Sequence, residues 1–173
     1  MTQRSAAAAT FLATTQWRGA AQTMLAGDAS NRKYFRLRHP ISGESAVLMD
    51  AAPDLGEDMR PFVKIAQHLL AMGLSAPRIL AQDLEQGFLL LEDLGDALFA
   101  RILDAQADRE NELYYAALDA LIQMQRADVT ALECGKHDKA KMQDENLRFA
   151  EWFLPQAVGR ESAEALMPEW VAL

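Results

Sequence analysis

Residues 27–33 gather the groups best suited to holding a phosphate: Gly27, Asp28, Ala29, Ser30, Asn31, Arg32 and Lys33. Small side chains at 27, 29 and 30 let the backbone come close to an anion, and successive amides in such a turn form an anion-binding concavity. Ser30 adds a hydroxyl donor, while Arg32 and Lys33 place two cations beside the same point. Taken alone, the stretch also reads as an ordinary hairpin turn with solvated charges, since single-glycine turns are common. It is not a Walker loop: no glycine precedes Lys33, and Tyr34 stands where a Ser or Thr would hold magnesium.

Other reactive side chains are sparse. The single cysteine, Cys134, cannot bridge internally and reads as an inert thiol suited to a reducing compartment. The histidines, His39, His68 and His137, have no Cys or His partners at zinc-ligand spacing. A Gly-x-Ser-x-Gly elbow and a Gly-x-Gly-x-x-Gly fingerprint are both absent. Phe149, Trp152, Phe153 and Trp170 read as core or lobe-contact residues.

The elements that must carry these groups follow from periodicity. Residues 5–15 form a helix with Ser5 as N-cap and Phe11 and Leu12 on its inner face. Residues 23–25 make a short strand. Residues 33–38 alternate, with Phe35 and Leu37 on one face and Tyr34, Arg36 and Arg38 on the other. A hairpin loop over 39–44 returns the chain as a strand over 46–50, giving a three-stranded antiparallel meander. Asp54 and Glu57 resemble a capping box, followed by a helix with the stripe Phe62, Ile65, Ala66 and Leu69, ended by Gly73. Residues 78–81 and 88–91 are strands, and the unbroken apolar run Phe88, Leu89, Leu90 and Leu91 implies burial on both faces.

Beyond Gly95 the pattern is helical. Asp96 caps a short helix through Leu103, and residues 109–126 form a longer one with Leu113, Ala117, Ala120, Leu121 and Met124 inward. Another helix spans 139–153 and is closed by Pro155, and the last, over 161–173, is interrupted near Pro168. Strands first and helices afterwards predict an α+β fold with its helices segregated.

Three segments resemble the aminoglycoside phosphotransferase / choline kinase superfamily. They are residues 27–37, the Val47-Leu48-Met49-Asp50-Ala51-Ala52-Pro53 strand, and Gly87-Phe88-Leu89-Leu90-Leu91-Glu92-Asp93-Leu94-Gly95. Within it the likeness is to the branch of bacterial cell-wall kinases that phosphorylate N-acetylmuramate and N-acetylglucosamine at the anomeric hydroxyl. It covers nearly the whole chain, including Leu147-Arg148-Phe149-Ala150-Glu151-Trp152-Phe153. The resemblance implies a nucleotide-binding, protein-kinase-like N-lobe with a five-stranded antiparallel sheet over 1–95. Residues 96–173 would then be the helical start of a C-lobe. ATP with Mg2+ would be the cofactor, and a small hydroxylated molecule, an amino sugar, the acceptor. Gly27, Asp28, Ala29 and Ser30 would cradle phosphate beside Arg32 and Lys33, while Val47 and Leu25 sandwich adenine near Met49. Leu91 would gate the pocket, with the Glu92 carbonyl and the Leu94 N–H reading the base edge. Core packing is the equally compatible role for the apolar members of this set.

Two departures qualify the resemblance. The strand that should carry a phosphate-pairing lysine offers Met49 or Asp50, so Arg32, Lys33 or Arg36 must supply the charge. Glu57 is then either the partner acid or a helix N-terminal carboxylate favoured by the dipole. A catalytic Asp followed five positions on by a metal-binding Asn is also missing: Asp138 is followed at that spacing by Gln143, and Asp144, Glu145 and Asn146 fail the same test. Base and metal ligands are therefore expected outside this chain, which alone should be inactive. The alternatives are a catalytically inactive nucleotide-binding or regulatory module, and an α+β domain without a nucleotide.

Composition narrows the partners. A net charge of -8 argues against a sequence-independent nucleic-acid binder. No stretch approaches the roughly 18 apolar residues of a membrane span, and the N-terminal segment reads as a folded helix rather than a signal peptide, so a cytoplasmic setting is expected. Exposed apolar faces at Leu113, Leu121, Phe149 and Trp152 would allow a homo-oligomer or a swapped dimer.

Overall fold

The computed structural model describes residues 3–25, 31–132 and 137–171. Its centre is a fully antiparallel five-stranded sheet in the order β1-β2-β3-β5-β4. The strands are β1 (Ala21–Met24), β2 (Lys33–Arg38), β3 (Ser45–Asp50), β4 (Ile79–Asp83) and β5 (Phe88–Glu92). Helix α1 (Gln3–Ala13) lies on one face and α2 (Arg60–Ala71) on the other. The α+β class and the kinase-like lobe followed by helices stand as expected.

The alternation in β2 and the uniform run in β5 have one cause, a sheet buried on both sides. Leu37, Leu48, Phe88 and Leu90 point to the α1 side with Phe11 and Leu12. Met49, Leu89 and Leu91 point to the α2 side with Met59 and Val63. Phe88, Leu89, Leu90 and Leu91 are all buried, as their lack of polar alternation predicts. Helix α1 is further tied down where Phe11 stacks on Phe88 at 5.6 Å and Arg4 bonds Asp50 at 2.6 Å, its guanidinium 3.9 Å from the Phe88 ring centre.

Gly87 is required where the chain turns into β5. Its φ is +70°, and a Cβ there would stand 2.0 Å from the Ala51 carbonyl oxygen. At the far end of α2, Gly73 donates to the Leu70 carbonyl and Leu74 to that of Leu69, the paired bonds of a Schellman stop.

Several local expectations are corrected. Helix α1 begins at Gln3, so Ser5 lies inside it and is no N-cap. The capping box does not form: Asp54 sits in a 3-10 turn over Pro53–Leu55, α2 starts only at Arg60 with Pro61 in its first turn, and Met59 precedes it without a side-chain cap. Of the expected stripe, Ala66 is buried and Phe62 packs against the core, but Val63 takes the inward place and Ile65 is exposed. Asp96 does not cap α3 (Phe99–Ala105), because its carboxylate is engaged by Arg36. Helix α4 (Glu110–Arg126) buries Leu113 but leaves Leu121 and Met124 exposed.

The chain divides into two compact units, residues 1–132 and 133–173. In the second, α5 (Lys139–Arg148) is capped by Asp138, whose carboxylate accepts the Lys141 N–H at 3.0 Å, which accounts for that aspartate structurally. A π-helical turn over Phe149–Phe153 follows, then α6 (Leu154–Val158) and α7 (Arg160–Val171). Pro155 therefore opens α6 rather than ending the helical run, since a first-turn position needs no N–H, and Pro168 is carried inside α7 without a break. Phe149 stacks between Phe153 and Trp170, whereas Trp152 is largely exposed.

Candidate functional site

The β2–β3–β5 register places side chains on the α2 face of the sheet in rows. Arg36 pairs with Val47 and Val47 with Leu91, forming one row. Tyr34, Met49 and Leu89 form the next, and the Leu25 N–H donates to the Tyr34 carbonyl at 2.9 Å. Val47 is half-buried and Leu91 only 4% exposed, so both meet at the sheet surface close to the end of β5. Met49 is fully buried with Met59, Val63 and Leu91. A thioether there fills the space between sheet and α2 and carries no charge to the surface.

Glu57 pairs with Arg32, the cation just ahead of β2. The Arg32 Nε donates to Glu57 Oε2 at 2.8 Å, with Glu57 12% exposed at its side chain. This bond, outweighing the cost of burial, raises the Arg32 pKa further above its ordinary value. Arg32 has the parity of Tyr34 and Arg36, which puts it on the α2 side of the sheet. Lys33 has the opposite parity. It lines a separate cleft of about 190 Å³ with Arg4, Asn31, Asp50 and Asp54. Two cations adjacent in sequence thus serve opposite faces. Gly27, Asp28, Ala29 and Ser30 lie outside the described residues.

At the exit from β5, Glu92 is held on its side-chain end by Arg78, whose Nε and Nη2 each donate to a carboxylate oxygen at 3.1 Å. Those bonds keep the Glu92 carboxyl below the usual glutamate range. Leu94 is exposed, and among the described residues no hydrogen bond involves its N–H. Next to it, Arg36 reaches across from β2 and grips two acids, with Nε 2.8 Å from Asp93 and Nη1 2.6 Å from Asp96. Periodicity places Arg36 on this face but gives no sign of that pairing. The cluster of Glu92, Asp93 and Asp96 after an apolar strand was the available signal.

The sheet offers an apolar cross-strand row, a backbone donor beyond β5 without a hydrogen bond among the described residues, and an arginine held by a glutamate, groups that suit a planar base joined to an anion. Among the described residues, no three His, Cys, Asp or Glu side chains converge as metal ligands would. No helix among them is long and apolar enough to cross a membrane.

A five-stranded antiparallel sheet with a helix on each face, leading into helices, is the architecture of a kinase-like N-lobe. The chain belongs to the phosphotransferase enzyme family, which its sequence matches over residues 22–172. It is similar to the N-acetylmuramate/N-acetylglucosamine kinase of Pseudomonas aeruginosa, 43% identical over 143 residues that make up 83% of this chain and 40% of that protein. The kinase of the same name from Pseudomonas putida is 38% identical over 148 residues, 86% of this chain and 42% of that one. The Caulobacter vibrioides kinase of that name is 36% identical over 151 residues, 72% and 41% of the two chains. The chain thus spans about two fifths of the length of these relatives.

Proposed function

We propose that this chain is the nucleotide-binding portion of an ATP-dependent phosphotransferase that acts on a small hydroxylated molecule, an amino sugar. One observation carries the reading: Arg36, Val47 and Leu91 form a cross-strand row on the same face of the sheet as the Arg32–Glu57 pair. Adenine lies against Val47, Leu25 and Leu91, with its edge read by the Leu94 N–H and the Glu92 carbonyl. Arg32, oriented by Glu57, takes the part of the missing strand lysine against the phosphates. Gly27, Asp28, Ala29 and Ser30 are the proposed phosphate cradle, Lys33 on the other face takes at most a minor part, and Met49 supports the floor from within the core. Residues 1–95 form the nucleotide lobe and residues 96–173 the opening of the helical lobe. Mg2+ enters with the nucleotide, and no residue of this chain is assigned as its ligand or as the catalytic base. The acceptor class follows the names of the relatives.

Thermal unfolding of the chain with and without Mg-ATP tests the binding half. A ligand that binds only the folded state at about 100 times its Kd adds about 2.7 kcal/mol, enough to raise the Tm by several degrees. No shift at millimolar Mg-ATP, with Mg2+ alone as control, would sink the reading. The acceptor half needs a protein of the relatives' full length, challenged with N-acetylmuramate, N-acetylglucosamine, choline and an aminoglycoside. Phosphorylation of the amino sugars alone is expected. Nucleotide binding with no acceptor phosphorylated would select the inactive binding module instead.

A further inference from the structure

Arg36 sits in the same cross-strand row as Val47 and Leu91, yet its side chain belongs neither to the core nor to the phosphate end. One guanidinium engages two carboxylates, each through both oxygens. Toward Asp93, Nη2 donates to Oδ1 at 3.1 Å, and Nε lies 2.8 Å from Oδ2 as an ion contact without hydrogen-bond geometry. Toward Asp96, Nη1 donates to Oδ2 at 2.6 Å and Nη2 to Oδ1 at 3.1 Å. Only a planar fork of donors can serve two carboxylates in this manner, and a lysine ammonium cannot reproduce it.

The two acids bracket Leu94. Asp93 is 5% exposed at its side chain, and its Oδ1 also accepts the Gly95 N–H at 3.0 Å, with Gly95 at a φ of +79°. Asp96 presents its carbonyl to the Leu98 N–H at 2.8 Å and stands 3.8 Å from Arg101 of α3. Strand β2, the segment leaving β5 and the first turn of α3 are thereby joined by one connected set of charges.

We propose that Arg36, Asp93 and Asp96 form an ionic latch that positions the base-reading backbone around Leu94 and sets the entry into α3. Arg36 is a positioning residue here, and its role rests on the nucleotide reading above. Asp93 is enclosed, 5% exposed at its side chain, whereas the Asp96 arm is open to solvent, with that side chain 56% exposed, and such an exposed pair adds little to global stability. Loss of the latch should therefore loosen the segment it holds while the rest of the sheet stays closed.

Amide hydrogen exchange on the whole chain, read before any nucleotide is added, separates the latch from the binding it serves. Arg36→Lys keeps the charge and removes the fork, whereas Asp96→Asn trims one arm at an exposed site where folding is not at risk. Exchange at Gly95 and Leu98, whose N–H groups are bonded to Asp93 and Asp96, should quicken by about tenfold in Arg36→Lys, and less in Asp96→Asn, with β3 and β5 amides unchanged. The Kd for ATP by titration calorimetry should rise by about tenfold in Arg36→Lys, equivalent to about 1.4 kcal/mol, and in the same direction for Asp96→Asn. Unchanged exchange at these amides in both variants would overturn the latch. Faster exchange with an unaltered ATP affinity would overturn its positioning role. A wild-type chain that binds no ATP would overturn the nucleotide reading and the role that rests on it, while exchange still decides whether the latch exists.

Discussion

Single residues decide which charges reach the proposed phosphate end. Arg32 and Lys33 are neighbours, but strand parity sends one to the α2 face and the other to the cleft with Arg4 and Asp50. Arg32→Ala should weaken ATP binding by about tenfold, since a charge-assisted hydrogen bond to an anion is lost, and Lys33→Ala by less than about threefold. Calorimetric titration of both variants checks this, and the reverse ranking would place the phosphates on the other face. A pH effect follows from the Arg36 acids. Hydrogen bonding to Arg36 lowers the Asp96 carboxyl; burial pushes Asp93 up, but the Gly95 N–H, Ser45 and Arg36 outweigh it and leave it lowered too. Folded values below the unfolded ones mean stability that is present above about pH 3.9 and is lost as the pH falls through the lowered values. The wild-type Tm should accordingly drop more steeply than that of Arg36→Gln below about pH 4, as acid melts followed by circular dichroism would record. Parallel curves would contradict the pairing.

At the scale of elements, β5 is the piece on which fold and site both depend. Phe88 and Leu90 fill the core under α1, Leu89 and Leu91 the one under α2, and Gly87 lets the strand start against the Ala51 carbonyl. Gly87→Ala forces a left-handed φ on a residue with a Cβ and a backbone clash, and should cost about 2–4 kcal/mol in urea unfolding. A loss under about 1 kcal/mol would mean that the turn shifts freely. Leu91→Phe should leave the chain folded, with an unchanged far-ultraviolet spectrum, and weaken ATP by crowding the proposed base site beside Val47; normal affinity would argue that the base lies elsewhere. Of these elements, the strands were legible because alternation and its absence report burial directly. The start of α2 was not, because Glu57, which its spacing offers to a helix N-terminus, is taken instead by Arg32, just ahead of β2. Pro155 misled for a related reason: a π turn ahead of it makes a first-turn position that a local reading takes for an end.

For the molecule as a whole, the described groups of the proposed nucleotide site all fall in the unit of residues 1–132. A chain ending at Leu132 should therefore fold and keep the Tm shift with Mg-ATP seen for residues 1–173, and losing that shift would show that residues beyond 132 take part in binding. The sequence by itself determined the α+β order of elements, the two-faced burial of β5 and the family to which the chain belongs. These are carried by patterns of two to four residues and by contiguous segments, and local sterics and hydrophobicity suffice to read them. Only the tertiary structure decided who pairs with whom: Arg4 with Asp50 across 46 positions, Arg32 with Glu57 across 25, and Arg36 with Asp93 and Asp96 across 57 and 60. Such partners are chosen by strand register and by which face each charge occupies. Both are settled when the sheet assembles, and no local pattern encodes them.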